Sequence, residues 1–147
     1  MAVNCTGSLM AAVSAEQKSL KIFDVPNFDM INILRLDHVP KTCGWIHQAA
    51  DPIQTVAVSD QNSGKIYIYD SKGSSEPLKI IEKLHAKPVS IIEYNPVYDV
   101  AVTCDEGGML EYWSGPKGDY AFPSNVSFQY KTDSDLYAFV MVSEKFS

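Results

Sequence analysis

The side chains able to do chemistry are few and scattered. Histidines stand at His38, His47 and His85, and cysteines at Cys5, Cys43 and Cys104. No histidine belongs to a nucleophile-elbow motif such as GxSxG, so acyl transfer has no local signature. Cys43 and His47 lie four residues apart. On an extended chain that spacing puts both on one face, but no third ligand accompanies them. The reading there is a buried thiol beside a hydrogen-bonded imidazole. The cysteines form no CxxC, so neither a zinc ribbon nor a disulfide framework is expected. Their usage points to a reducing compartment, cytosol or nucleus. GxGxxG and GxxxxGK[ST] phosphate cradles are missing from the sequence. Catalytic residues, cofactor and metal are therefore all expected to be none.

Charge narrows the partners. Lys and Arg total 12 against 18 Asp and Glu, a formal net charge of -6. Non-specific nucleic-acid binding needs clustered cations to displace counterions from phosphate. Here Lys79, Lys83 and Lys87 are interleaved with Glu76 and Glu82. No direct nucleic-acid contact is expected, RNA being a lesser alternative that salt-dependent binding would reveal. A protein partner is expected, and no small-molecule substrate. No apolar run approaches the roughly 18–20 residues that span a bilayer, so no membrane role is expected. The first basic side chain is Lys18, so a cleaved secretory signal is not expected. Without one, the sequons Asn4-Cys5-Thr6 and Asn125-Val126-Ser127 read as chance matches.

The elements that must position these side chains are strands. Ser19-Leu20-Lys21-Ile22-Phe23-Asp24, Lys65-Ile66-Tyr67-Ile68-Tyr69-Asp70 and Met109-Leu110-Glu111-Tyr112-Trp113-Ser114 are short, rich in strand formers and bounded by turn residues. Helical apolar spacing is not convincing in any window, so no helix is expected. Strand propensity and core packing account for Tyr67, Tyr69, Tyr94 and Tyr98, which could otherwise serve as binding platforms. Ala12-Val13, Ala57-Val58 and Ala101-Val102 precede the three strands, with starts 45 and 44 residues apart. A recurrence near 45 residues with four strands per unit marks WD40-type propeller blades; Kelch repeats run nearer about 50. Outer strands are expected at Met30–Leu36 and Pro77–Ile81, and inner ones at Gly44–His47 and Val89–Tyr94. Val126–Tyr130 and Leu136–Val142 read as further strands.

At this combined pattern the chain resembles the WD-repeat region of the spliceosome-associated, WD-repeat-containing cyclophilins, a peptidyl-prolyl isomerase family. The resemblance rests on Ile22-Phe23-Asp24-Val25 with Asn27-Phe28-Asp29-Met30-Ile31-Asn32, on Gly64 to Asp70, and on Leu84-His85. Asn95-Pro96-Val97-Tyr98, Gly108 to Trp113, Tyr130-Lys131-Thr132-Asp133 and Asp135-Leu136-Tyr137 continue it. It runs to about Phe139, and Val140–Ser147 depart from it.

The resemblance implies an all-β fold, a partial WD40-type β-propeller of about three four-stranded blades. Residues 1–147 would form one WD-repeat region, with units of about 5–41, 42–86 and 87–131 and a further strand or divergent tail at 132–147. In WD repeats a histidine, a Ser/Thr, an aspartate and a tryptophan form a buried hydrogen-bond network. His85, Thr103, Asp105 and Trp113 stand in that order, Asp105 about two residues early. The family pairs its propeller with a separate cyclophilin domain, is nuclear and is linked to pre-mRNA splicing. The resemblance thus implies nuclear location and spliceosomal protein partners. Nothing in the chain resembles the cyclophilin motifs, so the expectation is a protein-interaction scaffold and not an enzyme. The alternative is that the polypeptide is itself a prolyl isomerase. The loops His38–Cys43 and His85–Pro88 are the expected contact sites, and Ile22, Ile66, Ile68 and Leu110 are expected in the core.

Overall fold

The computed structural model describes residues 1–121 and 130–131. Among these residues twelve strands form three four-stranded sheets, each an antiparallel meander. The first sheet contains β1 (Ala2–Val3), β2 (Leu9–Ser14), β3 (Ser19–Asp24) and β4 (Asp29–Arg35). The second contains β5 (Pro40–Ile46), β6 (Thr55–Asp60), β7 (Ile66–Asp70) and β8 (Lys79–Ile81). The third contains β9 (Val89–Asn95), β10 (Val100–Asp105), β11 (Met109–Ser114) and β12 (Tyr130–Lys131). Among the described residues the only helical turn is a 3-10 turn at Pro116–Gly118. All-β architecture is the expectation met here. Of the anticipated strand Val126–Tyr130 only its last residue is described, and the anticipated strand Leu136–Val142 lies outside the described residues.

Two sheet-on-sheet cores hold the layers together. Alternation sends Leu20 and Ile22 of β3 toward the second sheet, where they join Trp45, Val56, Val58 and Tyr69. The other face of the second sheet sends Ile46, Ile66 and Ile68 toward Ala101 and Trp113 of the third. Polar ties span both seams: Trp45 Nε1 donates to the Ala2 carbonyl at 3.0 Å, and Ser59 Oγ to the Val89 carbonyl at 2.8 Å. Glycine permits the closest approach. A Cβ on Gly44 would lie 2.9 Å from Ile92, and one on Gly64 would fall on the His85 carbonyl.

Ile22, Ile66 and Ile68 are fully buried, but Leu110 is only half-buried, which corrects the core expectation for that residue. Parity explains it. In β11 it is Glu111 and Trp113 that face the second sheet, so Leu110 and Tyr112 occupy the far face. No fourth sheet packs on that face among the described residues.

Candidate functional site

The densest polar constellation lies inside the third sheet. The β8–β9 connection carries His85, β10 carries Thr103 and Asp105, and β11 carries Trp113. Because Thr103 and Asp105 differ by two, they share a face of β10. All four residues are buried. His85 Nε2 lies 2.7 Å from Thr103 Oγ1, and Nδ1 lies 2.9 Å from Asp105 Oδ2. Trp113 Nε1 donates to Thr103 Oγ1 at 3.2 Å. The second Asp105 oxygen accepts the Gly107 and Met109 amides, pinning the β10–β11 hairpin.

Donor accounting assigns the protons. Indole N–H can only donate, so Thr103 Oγ1 accepts from Trp113, and the Asp105 carboxylate can only accept, so His85 Nδ1 must be a donor. His85 then carries its proton on Nδ1 and donates it to Asp105. Hydroxyl, imidazole and carboxylate in that sequence match a nucleophile, base and orienting acid. Thr103, however, has no exposed surface and its oxygen is capped by the indole. No substrate can reach it, so the constellation fixes the sheet and does not catalyse.

The second sheet repeats the frame with different side chains. Val58 faces Tyr67 across the ladder as Thr103 faces Glu111. His38 stacks on Tyr67 with ring centroids 3.9 Å apart, and neither of its nitrogens has a hydrogen-bond partner. Burial lowers its pKa, against the opposing pull of Asp60 and Asp37.

The edge strands β1, β5 and β9 of the three sheets border a groove of about 480 Å³. Thr42, Trp45, His47, Ser90, Glu93 and Tyr94 are among its walls. Tyr94 donates to Asp99 Oδ1 at 2.6 Å, which holds its ring in place. Cys5 Sγ lies 3.5 Å from His47 Nδ1. Cys43 instead points to the Ala11 carbonyl, and burial pushes its thiol up to about 11. Burial likewise lowers His47 and raises Glu93. Among the described residues no three His, Cys, Asp or Glu side chains converge to hold a metal. The Cys5–His47 contact joins residues 42 apart, and no local pattern in the sequence announces it. Glu111 was equally missed, although the parity of Trp113 places it inside.

The loop His38–Cys43 enters β5, and His85–Pro88 lies between β8 and β9. His38 and His85 are buried, while Ala86 and Lys87 are exposed.

The geometry has relatives among known proteins. The fold is similar to that of a WD40 domain: the crystal structure of the WD40 domain from Toxoplasma gondii coronin superposes with a TM-score of 0.70 at 18% identity. That likeness covers 92% of this chain and 35% of the coronin chain. In sequence, the chain is 49% identical over 139 residues to peptidylprolyl isomerase domain and WD repeat-containing protein 1 of Homo sapiens. It is 40% identical over 139 residues to peptidyl-prolyl cis-trans isomerase cyp15 of Rhizopus delemar. Each alignment covers 95% of this chain, but only 21% and 22% of those relatives, so the chain spans about a fifth of their length. No family model matches the chain.

These findings correct three expectations. The resemblance was assigned to the WD-repeat region alone, the function to scaffolding, and the chain was expected not to be an enzyme. Proteins named as peptidyl-prolyl isomerases align with 95% of the chain, so the scaffold-only, non-enzyme assignment is withdrawn.

Proposed function

We propose that the protein is a peptidyl-prolyl cis-trans isomerase of the cyclophilin type. The observation carrying this reading is the alignment of 95% of the chain with proteins bearing that name. The activity is proposed for the whole protein, because the aligned region is about a fifth of those relatives. Turning an amide about its C–N bond costs about 18–20 kcal/mol, and X–Pro bonds take tens to hundreds of seconds to isomerise unaided. The reaction breaks no covalent bond and needs neither metal nor redox group. It needs an extended peptide held where water is scarce and donors can reach the twisting amide. The groove between β1, β5 and β9 places the rings of Trp45 and Tyr94 beside the hydroxyls of Thr42 and Ser90, and is the surface on which an extended peptide would lie.

The three sheets are proposed as three blades of a partial WD40-type propeller. Supporting this are the recurrence near 45 residues, the three four-stranded meanders and the likeness to the coronin domain. Nuclear location and protein partners in splicing complexes complete the proposal, on the strength of the family resemblance. The deciding experiment follows the cis-to-trans decay of a proline-containing peptide in the presence of the protein. Acceleration that cyclosporin abolishes is the expected result. Decay at the uncatalysed rate overturns the reading.

A further inference from the structure

Glu111 is buried at 8% exposure, yet its carboxylate makes no hydrogen bond or ion pair among the described residues. It opens instead onto a pocket of about 350 Å³ lined also by Lys83, Leu84, His85 and Met109. Lys87 stands at the rim and, like Lys83, is exposed. A carboxylate in a pocket wall offers a charged acceptor with which an incoming cation can pair. Comparison with the second sheet shows what the place is built to hold. There the residue in the same ladder position is Tyr67, and its ring fills the space by stacking on His38. In the third sheet Glu111 stands across from Thr103, His85 is already committed to Thr103 and Asp105, and the ring-sized space is left open.

We propose that the Glu111 pocket binds a basic side chain, lysine or arginine, from a peptide segment of another protein. The methylene stem lies along Leu84 and Met109, and the cationic head reaches the Glu111 carboxylate. Lys83 and Lys87 at the entrance select against a purely basic segment and favour acidic residues flanking the inserted one. The inference does not rest on the isomerase proposal, since it concerns a different surface and needs no catalysis.

The test is a titration of the protein, followed by amide chemical shifts, with the capped tripeptides Asp-Arg-Asp and Asp-Leu-Asp. Saturable shifts at Leu84, His85 and Met109 are expected with the arginine peptide. Glu111→Gln should weaken that binding by about tenfold or more, the usual scale for a hydrogen bond to a charged group. Glu111→Tyr copies the second sheet, fills the space, and should abolish the shifts while the melting transition persists. Equal shifts from Asp-Leu-Asp would mean that the rim lysines alone hold the peptide, and would overturn the proposal. So would undiminished binding by either folded variant.

Discussion

The second and third sheets set the same frame around two histidines and treat them in opposite ways. His85 is saturated, with Thr103 on one nitrogen and Asp105 on the other. His38 is stacked on a phenol ring and satisfied on neither. Two positions make the difference. Thr103 supplies a hydroxyl where Val58 supplies only methyls, and Glu111 leaves open the space that Tyr67 fills. The backbone therefore does not decide whether a buried imidazole is a polar anchor or an apolar plate. Side-chain oxygens on the neighbouring strand, from Thr103 and Asp105, do. The polar version specifies proton positions and pins a hairpin, whereas the stacked version gains contact area and leaves two nitrogens without partners.

Removing the Thr103 oxygen should have the largest effect. Thr103→Val leaves His85 Nε2 and the Trp113 indole N–H buried without partners, at roughly 1–3 kcal/mol per orphaned group. The reciprocal change, Val58→Thr, should give His38 a partner and raise stability by about 0.5–1.5 kcal/mol. Chemical denaturation of both variants checks the pair. If Thr103→Val is as stable as the parent, the contrast between the two sheets has no energetic content.

A second expectation uses pH. The folded-state pKa of His38 is lowered, chiefly by burial. In the unfolded chain the imidazole titrates near about 6.5 and so binds its proton first as pH falls. Stability attributable to His38 is therefore fully present above about pH 6.5 and is lost as pH drops toward the folded-state pKa. The slope cannot exceed about 1.4 kcal/mol per pH unit for one proton. Melting curves of the parent and of His38→Phe should diverge below that point, with the variant less sensitive to acid. Parallel curves would show that His38 is protonated equally in both states.

How much of this was legible in the sequence depends on whether the deciding contact is local. Strand positions were readable because alternation and turn residues act within six to eight residues, and the recurrence near 45 residues grouped them. The order His85, Thr103, Asp105, Trp113 was likewise visible along the chain. Nothing in the order shows that Val58 deprives His38 of a partner, because that follows only from matching β6 to β10. Cys5 meeting His47 depends on the first two sheets lying side by side. Nothing in the alternating strand Met109–Ser114 marks Glu111 as facing inward. Once Trp113, two residues on, is placed inside, Glu111 follows, since both must face the same way.

The smallest expected effect concerns Leu110, whose counterparts Leu20 and Ile66 are fully buried. The three leading strands are so alike in sequence that Leu110 reads as core. Its burial is decided by whether another layer covers the far face of the third sheet, and among the described residues none does. Ile66→Ala should cost about 2–5 kcal/mol, combining lost transfer energy with a cavity sealed between two sheets. Leu110→Ala should cost only about 1 kcal/mol, because a half-buried side chain forfeits about half its transfer energy and leaves no enclosed void. Urea denaturation separates the two, with the midpoint moving and the slope holding constant in each. A loss at Leu110 matching that at Ile66 would mean the far face is as tightly covered as the seam between the second and third sheets, and the open-faced arrangement would have to be abandoned.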